Sequence, residues 1–226
     1  MNHRVLLWNK ILFVCTIICL IIYDIFGGLW LKGTTSLWFV LLGLYNLGYA
    51  YKQNCTNKKY VCMIVLGLIF GMLADILLGV IFILGILSFA LGHICYLFAY
   101  YTLEKFHIQE FYTMIPISVI AIFIITGTPF IQINDPTLKV LLIGYAVIIS
   151  CMLSKAIANY KSKKSFATLL VLIASAMFFF SDFILAIDMF GTSSRLTWIL
   201  CSYVYWPSQS LLALSLYYFI NENKGV

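Results

Sequence analysis

Residues 60–78 read YVCMIVLGLIFGMLADILL, a run with one charged residue, Asp75, and no proline. A helix needs about 20 apolar residues to cross the hydrocarbon core of a bilayer, and this run meets that length. It does not alternate between apolar and polar residues as the strand of a membrane barrel would. The same kind of run recurs on both sides of it. Cutting the chain at charges and at clusters of Gly, Pro, Asn and Ser predicts eight spans: Ile11–Leu31, Leu37–Tyr51, Tyr60–Leu78, Ile81–Tyr101, Phe111–Thr128, Leu138–Ile157, Phe166–Ile187 and Leu196–Ile220.

The composition agrees with that division. Of 226 residues, 63% are hydrophobic and 10% charged, with a mean hydropathy of +1.03, against roughly 45–50% and 25% in soluble domains. An ordinary globular enzyme is excluded. The expectation is an all-α integral membrane protein, a single transmembrane domain over residues 1–226 built as a bundle of eight transmembrane helices. Eight helices and short loops leave no room for a soluble domain, so any chemistry lies inside the bundle.

Fourteen Lys and Arg against eight Asp and Glu give a net charge of +6. In this chain the excess reads as topology and not as a nucleic-acid footprint. With eight crossings, eleven of the cations fall on the face that carries both termini, and Lys32, Lys139 and Arg195 fall on the other. The positive-inside rule then makes both termini cytoplasmic, in the cell membrane. The first span follows Arg4 and Lys10 but lacks a small-x-small cleavage site, and is read as a retained helix. Seven cysteines form no CxxC pair and are read as packing residues. Three histidines, His3, His93 and His107, are too scattered for a zinc site, and no cofactor or metal is expected.

An ionisable side chain inside a span costs roughly 2.5–3.5 kcal/mol on insertion scales and is a functional candidate by default. Asp24 and Asp188 lie near span ends, where a carboxylate reaches water. Asp75 and Asp182 are surrounded by apolar residues. Counted from Lys59 and Lys164, they lie roughly 24 and 27 Å along their helices at 1.5 Å per residue. They can therefore meet at one depth, in the outer part of the membrane. Gly67, Gly71, Asp75 and Gly79 share a helix face that lets a neighbour approach closely. Ser175 and Phe178 lie on the face of Asp182. His93, Tyr96 and Tyr100 share one face, and Ser202, Tyr205, Trp206 and Gln209 another. A weak parallel repeat relates residues 60–101 to 166–218 and pairs the two aspartates.

Two close carboxylates in low dielectric cannot both ionise cheaply, so they share one proton and supply an acid beside a base. That suits hydrolysis through an oxocarbenium-like state. It equally suits proton relay in a proton-coupled membrane transporter. Pro207 has no counterpart in the fourth span, whereas paired helix breaks in matching repeat halves mark transporters. A purely structural protein is disfavoured by the two aspartates.

The blocks GLIFGMLADILL (67–78) and LGILSFALGHICY (84–96), with AMFFFSDFILA (176–186) and YWPSQSLLA (205–213), resemble those of the YhhN-like lysoplasmalogenase family. Members are multi-pass proteins that hydrolyse the vinyl ether of lysoplasmalogens to a fatty aldehyde and a glycerophospho-head-group. The likeness covers roughly residues 60–101 and 166–218. Ala74 stands where a glycine often precedes the first aspartate, and the family's Lys-Pro pair is absent from residues 36–51. The resemblance implies Asp75 and Asp182 as the catalytic pair, without assigning acid and base. It implies His93, Tyr96, Tyr205 and Gln209 as substrate-binding residues. It also implies a metal-independent reaction, and a single-chain lysophospholipid (lysoplasmalogen) entering from the lipid bilayer as the partner.

Overall fold

The computed structural model describes residues 2–128 and 131–224. Met1, Pro129, Phe130, Gly225 and Val226, which the single-domain reading includes, lie outside them. Among the described residues the chain forms eight α-helices and one turn of 3-10 helix before the fifth. They are α1 (His3–Phe26), α2 (Leu29–Lys52), α3 (Lys58–Leu77), α4 (Phe82–Tyr101), α5 (Phe111–Gly127), α6 (Pro136–Ser162), α7 (Phe166–Phe190) and α8 (Arg195–Glu222). Five of them, α1, α3, α4, α6 and α7, are long and apolar enough to cross a membrane.

The three others depart from that standard for readable reasons. Helix α5 is short, at 17 residues. Helices α2 and α8 pack on each other and carry the polar interior: Thr35, Ser36, Asn46, Ser202, Ser208, Gln209 and Ser215 are all buried. Their lower hydropathy is that of side chains facing protein, where polar groups find partners. Asn46, for example, donates to the Asn9 side chain at 2.6 Å and to the Ala213 carbonyl at 2.9 Å.

Side-chain caps set five of the eight helix N-termini. Asn2, Asn57 and Asp135 accept from the first-turn amides of α1, α3 and α6. Ser165 with Thr168, and Ser194 with Thr197, form reciprocal caps on α7 and α8. Helix α1 begins eight residues before its expected start and α6 ends five residues past its expected end, and the boundary between the first two helices lies elsewhere than expected. The first span was expected to run to Leu31 and the second to begin at Leu37. The chain instead breaks at Gly27 and Gly28, which take φ of 66° and 94°, a region that side chains other than glycine's rarely enter. Helix α2 therefore starts at Leu29, and Lys32 stands in its first turn instead of in a loop.

Successive helices run up and down. Tyr217 donates to the Asn2 carbonyl, and Thr56 to that of Asn223, while Ser162 donates to Glu104. These contacts gather both ends of the described chain at one end of the bundle. At the other end Arg195 pairs with Asp24, and the Gln132 amide donates to the Phe190 carbonyl. Helix α4 packs along α3 and α6, and α7 along α6 and α8. Aromatic side chains bridge α4 and α7, with His93 and Phe178 at 4.6 Å between ring centroids.

Candidate active site

Asp75, in the last turn of α3, and Asp182, in the second half of α7, line one cavity of about 380 Å³ at the end of the bundle remote from the termini. Asp75, on α3, is 2% exposed. Its Oδ2 accepts from the Ser36 hydroxyl at 2.5 Å and the Tyr205 hydroxyl at 2.9 Å, and its Oδ1 lies 3.9 Å from Lys32 Nζ. Trp206 Nε1 donates to Ser36 Oγ at 3.0 Å and fixes that hydroxyl. Asp182, on α7, accepts from Tyr145 of α6.

The predicted binding residues divide between the two carboxylates. Tyr96 of α4 donates to Gln209 Oε1 at 2.6 Å, and Gln209 Nε2 donates to Tyr205 at 3.4 Å, so a relay crosses from α4 through α8 to Asp75. This relay depends on α3 glycines. A methyl group on Gly67 would lie 2.3 Å from the Tyr96 ring, and one on Gly71 2.6 Å from Gln209 Nε2. Gly67→Ala is accordingly expected to overpack the site, at about 1–3 kcal/mol, seen as a lowered Tm in detergent. A Tm equal to that of the unaltered protein would contradict this packing.

His93 belongs to the Asp182 side. Its Nδ1 donates to the Phe89 carbonyl at 2.7 Å, because the carbonyl can only accept. That bond leaves Nε2 as a bare lone pair in the neutral ring. Nε2 has no hydrogen-bond partner among the described residues and lies 3.7 Å from Asp182 Oδ2.

Each aspartate has its own hydroxyl donors, and both line the cavity. Among the residues lining it, Lys32 is the cation, set against Asp75, Asp182 and Asp188. Asp188 stands near the mouth and accepts from Ser193 and Thr197. Asp24, expected at a span end, pairs with Arg195 and accepts from Tyr203.

Lys32, Ser36 and Tyr145 were missed in the sequence. Lys32 was read as a loop marker, although the adjacent Gly27 and Gly28 already signalled an earlier break. Ser36 fell just outside the predicted second span. Tyr145 lies in an otherwise apolar stretch, and its hydroxyl was the available signal.

A single low-dielectric site with one cation can neutralise one carboxylate by ion pairing; a second is accommodated most cheaply as the neutral acid. Two carboxylates with separate hydroxyl donors lining one cavity can together carry proton transfer. The model for the YhhN family matches residues 29–216 of the chain. No curated protein and no solved structure matches it.

Proposed function

From the premise that this chain belongs to the YhhN family, we propose that it is a lysoplasmalogenase, a metal-independent hydrolase of the vinyl ether in single-chain alkenyl glycerophospholipids. The observation that carries this reading is the pair of aspartates, Asp75 buried and Asp182 half-buried, held by separate donors and lining one cavity that contains a single lining cation. In this reading Asp75, beside Lys32 and accepting two hydroxyl hydrogen bonds, is the anion. Asp182, beside the bare Nε2 of His93, carries the proton.

The reaction proceeds from that state. Asp182 gives its proton to the β-carbon of the vinyl ether, whose π electrons form the new C–H bond and leave an oxocarbenium ion. Asp75 stabilises that cation and takes a proton from the water that adds to the α-carbon. The resulting hemiacetal then collapses. Its hydroxyl proton passes to Asp182, the C–O bond breaks, and Asp75 returns its proton to the departing glycerol oxygen. Aldehyde and glycerophospho-head-group leave, and both aspartates regain their starting forms. Tyr205 borders the space for the polar part of the lipid and, with Gln209 and Tyr96 hydrogen-bonded in line behind it, holds Asp75 in place.

All eight helices cross the cell membrane in this reading, with both termini cytoplasmic by the positive-inside rule, so the cavity opens towards the outer face. The expected result is fatty aldehyde release when the purified protein is incubated with a 1-alkenyl lysophospholipid, undiminished by a chelator. Absence of aldehyde, with chelators and with added metals, would overturn the proposal and favour proton-coupled transport through the same aspartates.

A further inference from the structure

Leu78, Phe89, Asp182, Leu185 and Met189 line the polar cavity and also a second, narrow one. The second lies among α4, α5, α6 and α7. Its lining is apolar except for Tyr145 and Asp182, the hydrogen-bonded pair at the junction of the two spaces. Its origin lies in the helix packing. Towards the termini, the gap between α4 and α7 is filled by His93, Tyr96 and Phe178. Towards the site end, Phe89 and Ile86 of α4 face Phe183 and Ala186 of α7 across open space. Helix α5 forms the outer wall but holds it loosely: Ala121 is its one buried residue, and Ala121 lines the slot.

We infer that this slot receives the hydrocarbon chain of the substrate, with Ala121 and Ala146 setting how much chain it accepts. The inference rests on the lysoplasmalogenase reading and adds a chain-binding subsite to it. An apolar slot that shares five lining residues with a polar cavity matches a molecule with one hydrocarbon chain and a polar head. Water gains nothing in a slot with two polar side chains that already satisfy each other, whereas methylenes arriving from the bilayer exchange one apolar surrounding for another and keep their packing contacts. Besides Ala121, α5 gives Ile124 and Ile125 to the slot wall, while Ile115, Val119, Ile120 and Phe123 stand exposed, so a chain can enter beside α5 without crossing water.

The slot also orients the reacting bond. Asp182 borders both spaces, and Asp75 borders the polar one. The β-carbon of a vinyl ether lies on the chain side of the ether oxygen. A chain seated in the slot therefore presents its β-carbon to Asp182 and its ether oxygen to the space that Asp75 faces. The proton donor chosen by charge accounting is thus the one that the substrate's own polarity selects.

The test compares kcat/KM for hexadecenyl and octenyl lysolipids with the same head group, each variant's ratio being referred to that of the unaltered protein so that micelle effects cancel. Ala121→Leu and Ala146→Leu shorten the slot and are expected to lower the long-to-short ratio about tenfold, the discrimination a few methylenes supply. Ile125→Ala removes bulk from the same wall and is expected to raise the ratio, which keeps the test decisive if the larger side chain at residue 146 prevents folding. Turnover with an unchanged ratio in Ala121→Leu and Ile125→Ala overturns the slot assignment. Absence of aldehyde from the unaltered protein with both lipids overturns the hydrolase reading on which it rests.

Discussion

Asp182→Asn is expected to lower kcat on a lysoplasmalogen by about 10²–10⁴-fold, the usual worth of a positioned proton donor, with little change in thermal stability. The amide is nearly isosteric and still accepts from Tyr145, and the carboxyl it replaces is neutral in the proposed resting state. Asp75→Asn is expected to lose comparable activity and to lose stability as well. The amide can still accept from Ser36 and Tyr205, but it cannot balance the Lys32 ammonium, which is left unpaired in a largely protein-lined cavity. The two variants therefore separate the roles: activity alone falls in one, activity and Tm in the other. Aldehyde release at the unaltered rate in either variant would remove that aspartate from the chemistry. A matched loss of Tm in both would remove the assignment of the charge to Asp75.

Lys155→Met is expected to destabilise the protein by about 3–5 kcal/mol, the cost of leaving a buried charge without its partner. Lys155 is wholly buried on α6, at the end of the bundle away from the cavity. Its Nζ donates to Glu110 Oε1 at 2.6 Å and to the Lys105 carbonyl at 2.9 Å, and lies 4.5 Å from the centre of the Tyr101 ring. Glu110 also accepts from the His107 amide and the Tyr101 hydroxyl. One ammonium thus ties the connection between α4 and α5 to α6. Helix α5 has one buried residue of its own, Ala121, and this clamp adds to its packing on α6. Adding Glu110→Gln to Lys155→Met is expected to recover part of the loss, since no uncompensated anion then remains. Thermal unfolding in detergent provides the measurement; a single-variant cost under about 1 kcal/mol, typical of exposed pairs, would show that the pair does not clamp.

Much of the site was legible before any tertiary contact was known. The α3 glycines at four-residue spacing announced a face of close approach, and Gly67 and Gly71 do receive Tyr96 and Gln209. Tyr205 and Gln209 lay on one predicted face of α8 and both join the network around Asp75. Less legible was the second element of that network. Lys32 was read as a marker of membrane topology because a cation suggests a loop, and one misplaced boundary hid both it and Ser36. Tyr145 carried a weak signal for a different reason: a tyrosine in a long apolar run serves packing as readily as hydrogen bonding, and nothing nearby in sequence points to Asp182. The slot between α4 and α7 had no signal at all, since a gap is a property of two helices that pack on other partners.

By itself the sequence determined that the chain is helical and belongs in a bilayer, because lipid offers no partner for a backbone amide and long apolar runs satisfy theirs within the helix. It also singled out Asp75 and Asp182, because a carboxylate among apolar residues has no cheap explanation there. Only the tertiary structure decided what each carboxylate touches. Periodicity tells which residues share a face of one helix, but not which helix that face meets or how far along the axes the two are displaced. Within a membrane that choice rests on close packing and a few polar contacts, and these join residues as distant in sequence as Ser36, Asp75 and Tyr205.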